Sequence, residues 1–434
     1  MPSSLHPTRR TVMASGLGLA ATVMLPPMAA GARPVGASDR HITFTSWWGP
    51  QLLRGEQQGT VVNGAGMRIG RRTGTRAYVD PFASGLSVTY EQASWLSPTV
   101  ATPFGLQELI ASWNVETPGQ TWVEILVRGH DETGTLSGWY VLGRWCAKDP
   151  DDGGAIHRTS VDGQKTPLAT VYTDTFHAYD PHRLRDFQLQ VNLLRPAGTT
   201  QSPVVRRVGA MASNLPDVET VPVSPVGRGA GRVLDVPPFS QELHVGHYPQ
   251  WDNGGEAWCS ATSTAMVLKY WRTGPRGSDL AWVTPPLDAE VDFAARNVFD
   301  YTYNGAGNWP FNTAYAAEYG LEAYVTRLRS FTEAEEFIRA GIPLIISVSF
   351  EKDELDGAGY GTNGHLMVVA GFTDSGDVVV NDPASHLLKD DAQVRTTYRR
   401  DQLENAWVPH SGGTVYVIHP EWGRVPHAPS EPNW

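Results

Sequence analysis

Only two cysteines, Cys146 and Cys259, occur in 434 residues, so the chain can form one disulfide at most. Basic residues are also few: 34 Lys and Arg against 45 Asp and Glu give a formal net charge of -11. No dense Lys/Arg cluster lies beyond the N-terminal region, which excludes the basic face that nucleic-acid binding requires. Long apolar runs are missing as well. The apolar stretch near the N-terminus falls short of the ~20 residues that a helical span needs, so no stable membrane span is expected. There is no internal repeat. What is plentiful is glycine (44) and proline (32), a composition that favours turn-rich β structure over long helices. Fifteen tryptophans read first as core anchors, because aromatic side chains dominate burial.

Residues 1–32 read as a targeting segment. Arg9 and Arg10 precede a glycine-broken apolar stretch that ends in Ala30-Gly31-Ala32, a small-x-small cleavage site. The arginine pair points to twin-arginine export of a folded protein, with a mature chain starting near Arg33 and working outside the cytoplasm, secreted or in the cell envelope. Folding before export takes place in a reducing compartment, which argues against a Cys146–Cys259 disulfide.

The fold class expected is α+β, a β-sandwich followed by a mixed domain. Within 41–213, "DFQLQVNLLR" puts Phe187, Leu189, Val191 and Leu193 on one face of a strand. "TWVEILVRG" and "SGWYVLGRWC" flank a turn-rich segment and read as a hairpin. Asp149–Gly154, "DPDDGG", lacks a full calcium ligand set and reads as an exposed acidic turn. Residues 214–235, rich in proline, valine and glycine, read as a linker crossed by few contacts. In 236–420, Cys259–Trp271 reads as a helix, and Thr332 with Glu335 as a capping box. Strands are expected at Pro343–Phe350, on both sides of a turn at Asp374–Gly376, and at Gly412–Pro420, the last of these closing the sheet. The proline-rich tail 421–434 is expected to pack loosely.

The chemistry centres on "GGEAWCSATSTAMVLKYW", residues 254–271. A thiol at a helix N-terminus meets unpaired N–H groups and the positive end of the helix dipole, which favour thiolate. The same amides can hold an oxyanion. A thiolate nucleophile needs a base, usually imidazole. His365 follows the glycine-rich 357–364 loop and opens a strand, which suggests a reachable position at a sheet edge. Asp382, 17 positions later, ends the partner strand and could orient the imidazole. Asn381 could serve instead, since a one-residue change of register swaps faces. Gln241 offers a side-chain amide to an oxyanion hole. His244 and His247 have a spacing that suggests metal ligation, but without a nearby third ligand they read as a solvated loop.

Taken together, "VPPFSQ", "WCSATSTAMVLKYW", "GHLMVVAGF" and "VVVNDPA" resemble the papain-like cysteine peptidases. The nearest branch is the double-glycine, bacteriocin-processing one with its stand-alone secreted actinobacterial relatives. Serine and alanine follow Cys259 where glycine and proline are usual in that branch. The first half looks like the β-rich leader domain of actinobacterial members. The resemblance spans Val236–Pro420 and implies a papain-like domain with Cys259 as nucleophile, His365 as general base and acid, Asp382 as orienter and Gln241 as oxyanion donor. It implies a peptide or protein substrate, with no metal and no organic cofactor. Two rivals remain open: acyl transfer or cell-wall amide cleavage by the same residues, and a cell-envelope binding protein with an inactive peptidase-like domain, whose tryptophan-rich sandwich takes a glycan.

Overall fold

In a computed structural model, residues 39–434 are described, apart from Ser84; the proposed export signal, 1–32, lies outside them. The first half is built from two seven-stranded antiparallel sheets. One runs Ala169–Tyr172, Thr175–Ala178, Glu108–Glu116, Val204–Asn214, Gly66–Ile69 and Thr60–Asn63, with His41–Trp48 also on Val204–Asn214. The other runs Tyr140–Trp145, Trp122–Arg128, Leu184–Pro196, Ser87–Leu96 and Glu56–Gln58, with Gly74–Val79 and Val100–Leu106 attached. The sheets face each other across a shared core, where Trp47 meets Trp95 edge-on at 5.6 Å and Tyr140 meets Phe176 at 5.1 Å. Phe187, Leu189, Val191 and Leu193 all point into it. On the outer face Glu124 ties the strands together by accepting from Arg76, Arg144 and Asn192. The tryptophans divide in the same way. Trp47, Trp95, Trp113, Trp122 and Trp145 are buried, which leaves Trp48 and Trp139 as the accessible ones in this half.

The second half carries one six-stranded antiparallel sheet. Its strands are β1 (Leu321–Arg327), β2 (Leu344–Phe350), β3 (Thr362–Phe372), β4 (Val378–Asn381), β5 (Arg395–Tyr398) and β6 (Thr414–Pro420), in the order β1-β6-β2-β3-β4-β5. The expected closing strand, β6, is therefore an inner strand, because β1 pairs along its whole length. Five helices accompany the sheet: α1 (Cys259–Tyr270), α2 (Ala289–Val298), α3 (Trp309–Ala317), α4 (Phe331–Arg339) and α5 (Arg400–Ser411). α1 is buried on nearly every side from Ser260 to Leu268. A helix so placed needs partners for its polar atoms. Ser260 bonds Tyr416 of β6 at 2.9 Å, Ser263 donates to the Leu366 carbonyl of β3 at 3.1 Å, and Thr264 donates to Asn312 of α3 at 3.2 Å. Among the described residues no helix is long and apolar enough to cross a membrane.

Several local expectations are overturned by long-range contacts. Segment 214–235 is strapped to the second half. Glu335 accepts from the amides of Gly227 and Gly229 at 2.9 and 2.8 Å, and from Arg400 at 2.9 Å. A Cβ on Gly229 would come within 2.7 Å of the Glu335 backbone. Glu335 is thus a buried anchor, and no capping box forms: α4 is capped at Ser330 without a side-chain bond, while Thr332 donates to Pro225. Removing one partner of such a buried ion pair typically costs about 3–5 kcal/mol. Asp149 is no exposed turn residue either; it is buried and takes a two-pronged contact from Arg296 at 2.9 and 3.0 Å, joining the two halves. The tail is mostly exposed from 421 to 430, as expected, and only its end is anchored. Pro432 accepts from Phe44, Asn433 is fully buried, and Trp434 stands edge-on to Phe337.

Candidate active site

Cys259 is the first residue of α1, and Trp258 holds it there: the indole is fully buried and donates to the Trp251 carbonyl at 2.6 Å. The first intrahelical bond runs from the Thr262 amide to the Trp258 carbonyl at 2.8 Å. No side chain caps this end, so the first-turn amides retain their capacity to bind an incoming oxygen. Because Ser263 of α1 is bonded to Leu366 of β3, the thiol is carried alongside His365.

His365 lies near the start of β3, opposite Val348 of β2. The expected sheet-edge position is corrected: β3 is an inner strand, and the imidazole is reached at the strand's end. Its Nε2 meets Asp382 Oδ1 at 2.8 Å, which leaves Nδ1 for the thiol. Hydrogen bonding and charge from Cys259 both act on this imidazole. Burial alone would disfavour the imidazolium, but the Asp382 charge and hydrogen bond, with Cys259, outweigh it and push the His365 pKa up to about 10.

Asp382 follows β4 directly and is fully buried. It accepts from Tyr360 at 2.9 Å, Tyr398 at 2.7 Å and the Ala384 amide at 3.0 Å. Burial works against its charge; the His365 cation and these donors prevail and hold its pKa below the ordinary carboxylate value. Asn381 points away, donating to the Val236 and Pro237 carbonyls and accepting from Arg395. The two neighbours lie on opposite faces, and only Asp382 reaches the imidazole. Tyr360 and Tyr398 escaped the sequence reading. Tyr360 was legible only as one aromatic in a glycine-rich loop, and Tyr398 as an ordinary strand residue.

Gln241 opens a short 3-10 turn, Gln241–His244. Its main chain donates to Pro383, next to Asp382, at 2.9 Å. Its side-chain amide donates to the Glu256 carbonyl at 2.8 Å and, over a longer 3.3 Å, to Glu242. It therefore stands beside the α1 start, with one N–H firmly held and one weakly held. The weaker contact is the one an oxyanion could replace. Gln241→Ala is expected to slow acylation by a peptide-like electrophile about 10²-fold. Alkylation by iodoacetamide, which develops no oxyanion, should be unchanged. Equal effects on both rates, or none on acylation, would remove Gln241 from the oxyanion site.

The second thiol differs in burial and in its surroundings. Cys146 is buried, donates to the Lys148 and Ile156 carbonyls at 3.0 Å, and is pushed by burial up to about 11. Both cysteines are free, and Cys259 is only half-buried. Nor are His244 and His247 a solvated loop. Both imidazoles converge on Asp292 of α2, which is remote in sequence, and His244 is fully buried.

No curated protein sequence matches the chain. Residues 43–213 match the family profile described as Peptidase C39 N-terminal domain, the actinobacterial type. Residues 233–415 match that of the Peptidase C39-like family, and the two matches bracket the two-sheet half and the half that holds Cys259, His365 and Asp382. With both matches in this order along one chain, the protein belongs to the C39-like cysteine peptidase family.

Proposed function

We propose that the protein is a cysteine peptidase of papain-like arrangement that hydrolyses amide bonds through a thioester on Cys259. One observation carries this reading: a half-buried thiol at an uncapped helix start lies beside an imidazole whose far nitrogen is held by a buried carboxylate at 2.8 Å. In the ground state the proton rests on His365, and the raised imidazole pKa supports a thiolate–imidazolium pair. The thiolate attacks the substrate carbonyl. The developing oxyanion is received by the first-turn amides of α1 and by Gln241. His365 then gives its proton to the leaving amine, and the amine departs as the thioester forms. Next, His365 takes a proton from water, which attacks the thioester; the carboxylic acid leaves and the thiolate–imidazolium pair is restored. Asp382 keeps the ring oriented and stabilises its charge throughout.

Labelling with a peptide-like, thiol-directed electrophile tests this directly. One equivalent is expected on Cys259 in the folded protein and none on Cys146. Labelling that requires heat denaturation would refute the reading. The Arg9-Arg10 pair and Ala30-Gly31-Ala32 support secretion by the twin-arginine route, which N-terminal sequencing of the extracellular protein checks: a start far from Arg33 counts against it.

A further inference from the structure

Behind the nucleophile lies a second constellation that the peptidase chemistry does not use. His244 closes the 241–244 turn, His247 follows three residues later, and Asp292 comes from the buried side of α2. His244 Nδ1 meets Asp292 Oδ2 at 2.8 Å, and His247 Nδ1 meets Asp292 Oδ1 at 3.0 Å. One donor atom from each of the three residues can be chosen so that all lie within 4.8 Å of one another. His244 and Asp292 are fully buried, whereas the His247 side chain keeps 16% of its exposure. Two imidazoles sharing one carboxylate form an N,N,O donor set, of a type that suits zinc and its neighbours better than magnesium or calcium. Three protein ligands with one exposed flank leave a fourth position for water.

A purely hydrogen-bonded cluster leaves something over. With each Nδ1 donating to Asp292, His244 presents a bare Nε2, and that atom is buried without a partner. An isolated buried polar atom of this kind is costly. An ion at Nδ1 moves the ring proton to Nε2 and makes it a donor. A metal-bound imidazole usually gives this proton to a carboxylate, a carbonyl or water.

We propose that His244, His247 and Asp292 bind one divalent transition-metal ion, zinc by donor type, as a structural pin behind the active site. The pin would act on the loop that shapes the nucleophile's surroundings. A Cβ on Gly255, four residues before Cys259, would meet the Gln241 carbonyl at 2.3 Å and His244 Cβ at 2.7 Å. The His244 ring lies 6.2 Å from Trp258. Fixing 241–247 to α2 therefore steadies Gln241 and Trp258 together.

The test is cobalt titration of the chelator-treated protein lacking residues 1–32, or the full chain, followed by competition with zinc. One equivalent of Co(II) with the visible bands of a tetrahedral site, displaced by zinc, is expected. Zinc should also raise the melting temperature. His247→Ala, a partly exposed position, and the near-isosteric Asp292→Asn should each weaken binding at least ~100-fold, since even outer-sphere partners are worth 10–100-fold. Cys259→Ala should bind as the parent does, which separates this site from the catalytic thiol. Absence of stoichiometric binding, binding unchanged in both ligand variants, or binding abolished by Cys259→Ala would overturn the proposal.

Discussion

Cys259→Ala is expected to form no acyl-enzyme at all while keeping its fold. The thiol is only half-buried, and alanine is the best helix former for the first position of α1. His365→Ala should lower the acylation rate by about 10²–10⁴-fold, the usual range for a general acid–base group. The double variant should be no worse than Cys259→Ala, because nucleophile and base act as one device. Circular dichroism and melting curves establish the fold; mass spectrometry of the labelled protein counts the adduct. Amide hydrolysis by purified Cys259→Ala at the parental rate would end the mechanism.

The second large effect belongs to Asp382. In Asp382→Ala the imidazole loses its partner, and the hydroxyls of Tyr360 and Tyr398 are left buried without an acceptor, each at about 1–3 kcal/mol. An NMR titration should show the His365 pKa falling from about 10 towards its ordinary value near 6.5. Asp382→Asn should also lower that pKa, because the charge is gone, but should lose less activity, because its amide oxygen still orients the ring. Asn381→Ala should leave the titration in place and act on stability, through the lost contacts to Val236, Pro237 and Arg395. The sign of the pH dependence follows from the two shifts. A raised imidazole pKa contributes stability that is full below about 6.5 and fades as pH rises through about 10. A lowered carboxylate pKa contributes stability that is full above 3.8 and is lost as pH falls through the depressed value. The melting difference between parent and Asp382→Ala should therefore be widest between about pH 4 and 6.5. A difference that grows towards pH 10, or an Asn381→Ala variant more damaged in activity than Asp382→Ala, would assign the orienting role wrongly.

How much was legible beforehand depended on the range of the interaction. Alternation along Leu184–Pro196, the switch to mixed periodicity after residue 235, and the start of a helix at Cys259 are local patterns. The side-chain directions of a strand or helix are set by the backbone itself, so the sequence by itself determined which residues face a core and where the thiol sits on its helix. It also marked His365 and Asp382 as candidates, because each stands at an element boundary flanked by glycine or proline. It could not choose between Asp382 and Asn381, since adjacent strand residues differ only in face; the packing of Asn381 against Val236 and Arg395 decided that. Tertiary structure alone also decided the roles of residues whose partners are remote in sequence. Glu335 looked like a cap but anchors residues 227 and 229 and Arg400, and Asp149 looked like a solvated turn but pairs with Arg296. His244 and His247 seemed to lack a third ligand until α2 brought Asp292 between them. In each case a buried charge must find a partner wherever the fold supplies one. Sequence spacing does not record that choice, which is made when sheets and helices pack.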